Sequence, residues 1–319
     1  DNSATAMRAM MRVLRERGAR SSHSSQFASP EPLCRRRADK VPKIFAVGGR
    51  DESTRFNTVE CFDPLTREWS AVTAMSTARS GPSVAVLAGK LYAIGGKNNF
   101  GNTISTVECF DPATEEWSLV APTNTARNTC GAGVMDGKLY TVGGWDDDAG
   151  DEGMALRSVE CFDPSTGQWS AVAPMNSVRD GAAVATVGGK LYAVGGAGGP
   201  LDGDIAFLSS AECFDSSTGL WSPIAAMRTA RCYHDVAMLA GKLYAVGGSS
   251  EDDEDDDALS AVECFDPSTG QWSPVADMGA ARNSTGVSVS DGKLYAVGGH
   301  DGANNLSSIE SFDPSTGQW

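Results

Sequence analysis

The chain has 319 residues, of which 41% are hydrophobic and 36 are glycine, and its formal net charge is −15. That length suits one large domain or two ordinary ones, and no apolar run approaches the roughly 18 residues that span a membrane as a helix. An acidic body argues against nucleic acid as a partner, because phosphate contacts need Lys and Arg, and it weakly favours basic partners.

The first 40 residues differ from the rest. They carry nine basic and four acidic residues, a net +5, which leaves −20 for residues 41–319. MRAMMRVLRERGAR (7–20) fits a short basic helix. The stretch that follows, SSHSSQFASPEPLCRRRADK (21–40), reads as a Ser-rich linker broken by Pro30 and Pro32. Residues 1–40 are therefore expected to be a basic leader, disordered or partly helical. An Arg- and Ser-rich leader also suits a transit peptide, but a linker from a segment upstream is the preferred reading.

From residue 41 an internal repeat dominates. Gly-Gly pairs stand at 48–49, 95–96, 143–144, 195–196, 247–248 and 298–299. Each is followed by a glutamate (Glu60, Glu108, Glu160, Glu212, Glu263, Glu310) inside VECFDP or a close variant. A tryptophan then follows nine residues after the glutamate in all six units, from Trp69 to Trp319. Arg79, Arg127, Arg179, Arg231 and Arg282 lie ten residues after the Trp, and 17 before the second Gly of the next pair. One interval alone varies: second Gly to Glu takes 11, 12, 16, 16, 15 and 11 steps.

Each unit predicts four short strands. In chain order after the Arg they are SVAVLA and its relatives, KLYAVGG, VECFD, and a strand opening at the Trp. These runs are rich in β-branched and aromatic residues, and tight turns such as DPSTGQ and AGK separate them. No apolar pattern of helical period follows residue 40, so no helix is predicted there. A lone four-stranded sheet with two apolar faces cannot stand by itself, whereas radial stacking buries both faces.

The combination of Gly-Gly, V-E-x-F-D-P, a spaced Trp and a spaced Arg resembles the Kelch repeat across residues 41–319. The resemblance implies an all-β fold: a six-bladed Kelch β-propeller of four-stranded antiparallel blades. By repeat unit the blades would cover 41–79, 80–127, 128–179, 180–231, 232–282 and 283–319. In this family a C-terminal segment completes the last blade and supplies the inner strand of the first. Here the sequence stops at Trp319, so the last blade and the ring closure are expected to be incomplete, with an exposed sheet edge. The leader-to-strand junction is similar to that of BTB–Kelch ubiquitin-ligase adaptors. That likeness implies a substrate-recognition domain, with any cullin contact made by domains outside this chain. A cytoskeletal, actin-related or other scaffold is the alternative.

Function on such a scaffold is expected on the face that carries the variable loops. Two of these loops are acidic, WDDDAGDE (145–152) and SSEDDEDDD (249–257), which reads as solvated acid or as a patch for a basic partner. The repeat arginines, entering each inner strand, are expected at the channel mouth, where a guanidinium ring would suit a carboxylate-bearing peptide. A structural role in every blade, bonding main-chain carbonyls or a neighbour's acid, is the favoured reading because the arginines occur in every repeat, and the two roles can coexist. Residues that do not repeat are further partner-binding candidates: Tyr233 and His234 after the fourth repeat Arg, and Arg50, Arg55, Asn98, Phe100, Trp145 and Asn305 in the loops.

No catalytic, metal-binding or cofactor-binding residue is predicted. The chain has three histidines, His23, His234 and His300, too few and too scattered for a catalytic metal. VGGKL (187–191) lacks the Ser or Thr of a P-loop, and GGAGGP (195–200) precedes no helix. Kelch-like oxidases and sugar mutarotases exist, but their ligand sets are not visible here. Eight cysteines without a C-x-x-C pair, in a chain too long for a disulfide scaffold, point to reduced thiols and a cytoplasmic setting. Cys61, Cys109, Cys161, Cys213 and Cys264 share one repeat slot, which marks them as core fillers and not nucleophiles. The expected partner is a protein or peptide, not nucleic acid or membrane.

Overall fold

A computed structural model describes residues 10–14, 41–51, 53–148, 153–199, 206–250 and 258–319. No helix occurs among them. Six antiparallel sheets form six blades of a propeller, and the inner strands neighbour one another in a closed ring. Blade 2 shows the pattern: Ser83–Leu87, Lys90–Ile94, Val107–Asp111 and Glu116–Val120, each pairing with the next. Blades 3, 4 and 5 repeat it, with inner strands Gly131–Met135, Ala183–Val187 and Asp235–Leu239. The predicted first strands after each Arg are all present.

One feature differs from expectation, and the sixth blade is incomplete as expected. Met10–Leu14, placed by sequence in a helical leader, is a strand that pairs antiparallel with Lys43–Val47 as the inner strand of blade 1. The remaining residues of 1–40 lie outside the described set. Only Val13 of MMRVL is β-branched, so the strand comes not from propensity but from the edge of Lys43–Val47, which offers a ladder of backbone partners where a short isolated helix is marginal. The sixth sheet has three strands, Gly286–Ser290, Lys293–Val297 and Ile309–Phe312, followed by an isolated bridge from Asp313 to Gln318. The seam between blades 6 and 1 is nonetheless packed, which confines the incompleteness to the outer strand of blade 6. Phe62 meets Tyr295 at 6.3 Å between ring centroids, Ile44, Ala46, Phe62 and Val297 form a shared cluster, and Ser290 Oγ donates to Pro42 O at 2.6 Å.

Neighbouring blades are joined in three ways. The Trp indole N–H donates backwards, as Trp169 Nε1 does to Ala121 O at 2.9 Å. Tyrosine and phenylalanine rings meet across each gap from blade 2 to blade 6, Tyr92 with Phe162 at 5.9 Å for example. The third tie is the repeat arginine. Arg127, at the entry to blade 3, donates Nη1 to Gly143 O at 2.9 Å and Nη2 to Glu160 Oε1 at 2.8 Å. The same carboxylate accepts the backbone N–H groups of Asn124 and Thr125, so one ion pair clamps the connecting segment onto the next blade. Equivalent pairs join Arg79 to Glu108, Arg179 to Glu212, Arg231 to Glu263 and Arg282 to Glu310. Burial pushes the Glu108 and Glu160 carboxyls up. Hydrogen bonds from the backbone and the arginines more than offset this, so both titrate below their ordinary value.

Removing one partner of a buried pair strands the other charge. Arg127→Ala should therefore lower unfolding stability by about 3–5 kcal/mol in urea titrations. Replacing Lys138, whose pair with Asp163 is exposed, should change it little. The depressed carboxyls add a pH dependence. Their contribution is full above the ordinary carboxylate value of 4.5 and is lost as pH falls through their lower folded values. Glu160→Gln should flatten that acid limb of the stability profile.

Candidate functional site

The connection that enters each inner strand turns sharply at the channel mouth. Gly81, Thr129, Gly181, Tyr233 and Ser284 occupy equivalent places in blades 2 to 6, all left-handed, with φ between 50° and 60°. Their backbones form a belt. Thr129 N–H donates to Gly81 O, Gly181 N–H to Thr129 O and Tyr233 N–H to Gly181 O, each at 3.1 Å, and Ser284 N–H donates to Tyr233 O at 2.7 Å. A β-branched residue such as Thr129 in this conformation costs about 1–3 kcal/mol and marks a place held for its side chain.

A cavity of about 290 Å³ opens at this belt. Arg50, Arg55 and Lys97 line one part of it, from blades 1 and 2, and Tyr233 and His234 of blade 5 line another. Its charged lining is basic. Arg50 and Arg55 have no carboxylate partner among the described residues, and Arg55 Nε donates to Ser80 Oγ at 3.0 Å. Lys97 pairs with Asp147 at 3.1 Å, which holds the loops of blades 2 and 3 together. Behind the belt, Asp180 accepts the Thr129 hydroxyl and, at 3.3 Å, the Tyr233 hydroxyl. Burial pushes the Asp180 carboxyl up, against the pull of those two donors. His234 is 4% exposed, and neither ring nitrogen has a hydrogen-bond partner among the described residues. Burial, and then the charges of Arg231 and Arg179, push its pKa well down, so the ring is neutral.

The structure thus gathers four of the sequence candidates, Arg50, Arg55, Tyr233 and His234. The five repeat arginines take the structural role and not the partner-binding one: Arg79, Arg127, Arg179, Arg231 and Arg282 are at most 1% exposed and consumed by the inter-blade clamps. An Arg aimed into the mouth would leave the Gly-Gly carbonyl and the repeat glutamate unsatisfied, so it turns inward. Other candidates lie apart from the cavity. Phe100 is 88% exposed at a loop tip braced by Asn98, whose Oδ1 accepts the N–H groups of Phe100 and Asn102. Trp145 pairs with Ala155 in a two-stranded loop, and Asn305 bridges to His300 in the loop of blade 6. Of the acidic loops, residues 149–152 and 251–257 lie outside the described residues.

Sequence reasoning missed Lys97, Asp180 and Thr129 as a group. One signal was available. The residue after each Gly-Gly pair differs in every blade (Arg50, Lys97, Trp145, Ala197, Ser249, His300), and from blade 2 onward each bridges to the residue after the repeat Arg. No cluster of three or more His, Cys, Asp or Glu suited to a metal occurs among the described residues. The seven described cysteines are buried, and burial pushes the Cys109, Cys161, Cys213 and Cys264 thiols up, away from reactivity.

With six repeats arranged as six blades, comparison with known proteins is decisive. The sequence profile of the KLHDC2/KLHL20/DRC7 Kelch-repeats domain matches residues 21–196 and 130–319. The chain belongs to the Kelch-repeat family. It is 36% identical to Kelch-like protein 35 of Mus musculus over 149 residues, covering 46% of this chain and 23% of that protein. It is 30% identical to Kelch-like protein 26 of Danio rerio over 263 residues, or 81% of this chain and 34% of that protein. Kelch-like protein 25 of Xenopus tropicalis is 32% identical over 261 residues, 82% of this chain and 35% of its own length. The Kelch chain described here spans about a quarter to a third of the length of these curated relatives. No helix among its described residues is long and apolar enough to cross a membrane.

Gly181 faces the Tyr233 ring, and a Cβ there would stand 2.7 Å from it on a backbone with φ +59°. Gly181→Ala should lower stability by about 1–2 kcal/mol in thermal unfolding, and should displace the Tyr233 hydroxyl from Asp180 in a crystal structure.

Proposed function

We propose that this Kelch domain is a non-enzymatic docking module whose partner protein presents an acidic segment to the channel mouth. One observation carries the reading. On a chain of net charge −15, the charged side chains described at the mouth cavity, Arg50, Arg55 and Lys97, are all basic. A local cationic site on an acidic body steers carboxylates inward and turns away most other protein surface. Phe100, held out on its braced loop, supplies an apolar anchor on the same face. The Kelch-like relatives support the finer version: a substrate-recognition domain of a cullin-type ubiquitin ligase adaptor, in a reducing compartment suited to its buried cysteines.

Affinity capture with the wild type and with Arg50→Ala/Arg55→Ala/Lys97→Ala tests the docking face. The triple variant should bind its partner about tenfold more weakly or worse, and wild-type binding should weaken with added salt. Leu119→Ala, on an exposed outer strand, should leave capture unchanged. Identical partners and affinities for all three proteins would overturn the assignment. Co-capture of a cullin by the full-length gene product supports the ligase reading, whereas co-capture of filament proteins supports a scaffold.

A further inference from the structure

The variable loops of blades 1 and 6 have the same length and build the same hairpin. In blade 1, Asp51 N–H donates to Thr54 O at 3.0 Å and Phe56 N–H to Gly49 O at 2.9 Å. In blade 6, Asp301 N–H donates to Asn304 O at 3.0 Å and Leu306 N–H to Gly299 O at 2.8 Å. An aspartate caps each turn. Asp51 Oδ1 accepts the N–H groups of Ser53 and Thr54, as Asp301 Oδ1 accepts those of Ala303 and Asn304. The pair between the two rungs is what differs: blade 6 sets His300 opposite Asn305, and blade 1 sets Arg50 opposite Arg55.

Flanked by those rungs, Arg50 and Arg55 form a non-hydrogen-bonded pair, the closer of the two antiparallel kinds, with Cα atoms about 4.5 Å apart and side chains on one face. Like charges so placed repel. The turn does not require them, since blade 6 makes it with an imidazole and an amide. Nor does a nearby acid neutralise them. Asp51 is spent on its cap, and Asp147 is taken by Lys97 and the Thr103 hydroxyl. Ser80 holds Arg55 through Nε, which leaves Nη1 and Nη2 without a partner among the described residues. Both arginines line the mouth cavity. A carboxylate brings one charge and matches one guanidinium fork. A phosphomonoester brings about two charges and three terminal oxygens, which matches two forks.

We propose that Arg50 and Arg55 are a phosphate clamp, which reads a phosphoserine or phosphothreonine in the partner segment that enters the mouth. This rests on the acidic-segment reading above and names the anion. Lipid surfaces carry phosphomonoesters too, but a body of net charge −15 repels a polyanionic surface, whereas a mouth of about 290 Å³ admits a side chain.

The test measures binding of dodecapeptide libraries to the whole chain. The libraries are alike except at the centre, which holds phosphoserine or phosphothreonine, the unmodified residue, or glutamate. The double variant Arg50→His/Arg55→Asn copies the blade 6 pair into the same turn. In buffer without phosphate it should unfold at the wild-type temperature or slightly above, because the repulsion is gone. Wild type should bind its best phosphopeptides about tenfold more tightly than their glutamate versions, and the double variant should bind the two alike. Arg55→Lys keeps the charge, removes the fork, and should lose most of the preference. A phosphate preference that persists in the double variant, or unfolding of that variant well below wild type, would overturn the inference. Equal binding of phosphate and glutamate peptides to wild type, weakened in the double variant, would also overturn it and leave the acidic-segment reading standing. Tighter binding to phosphatidylcholine vesicles that carry phosphatidylinositol bisphosphate than to any peptide would replace it with a lipid headgroup. No binding from any library would sink both readings.

Discussion

The buried pair between a repeat arginine and the glutamate of the next blade is the constraint on which the rest of the propeller depends. Arg127 satisfies the carbonyls of Gly143 and Ser158 while Glu160 accepts two backbone N–H groups from the connecting segment. Sheet faces packed by apolar contact alone can slide, because the hydrophobic effect has no direction. Charged hydrogen bonds do have direction, and five copies of this cluster hold the connections between blades 1 and 6 at one register. Such pairs contribute less to net stability than their Coulomb attraction suggests, since desolvating both ions is costly. Their contribution here is geometric, which is why the same spacing recurs in every unit.

The clamp also decides where variation is allowed. It begins at the Arg and ends at the Gly-Gly pair and the glutamate. The left-handed glycines let that backbone come close: Gly196 N–H donates to Arg231 O at 2.9 Å. The chain from each glutamate through the Trp and the Arg to the next Gly-Gly pair has constant length. The segment between the second Gly and the glutamate lies outside it and ranges from 11 to 16 steps without disturbing a blade. The loops that carry Arg55, Phe100 and Asn305 are therefore free to diversify on a scaffold that does not move with them.

Repetition made the fold legible. The strands after each Arg, the repeated Trp and the inert cysteine slot all follow from constant spacing. Direction was not legible. Spacing places Arg127 at the entry to an inner strand but cannot say whether its side chain turns to the channel or to the blade; that depends on Glu160, 33 residues away. Met10–Leu14 was hidden for a related reason. Five residues carry too little periodicity to oppose a helical reading, and what makes them a strand is the waiting edge of Lys43–Val47. At the site, the non-repeating Tyr233 and His234 stood out against the repeats. Lys97 did not, because a lysine in a loop is ordinary until Asp147 and the belt fix its place.

The belt itself argues that the mouth is more than a by-product of closure. Glycine adopts a left-handed conformation without strain, although Ala88, Asp136 and Ala240 also accept it in hairpin turns away from the mouth. Glycine stands at 81 and 181, but Thr129, Tyr233 and Ser284 accept the strain. Thr129 lies over Gly81 and the Tyr233 ring over Gly181, so each larger side chain uses room left by a glycine in the preceding blade. The side chains shingle around the channel, and Asp180 is caught between the hydroxyls of Thr129 and Tyr233. Strain retained at three positions, relieved at two, and coupled to a buried carboxylate gives the mouth a fixed shape. The clamps beneath supply the rigidity that keeps the shape when no ligand is bound.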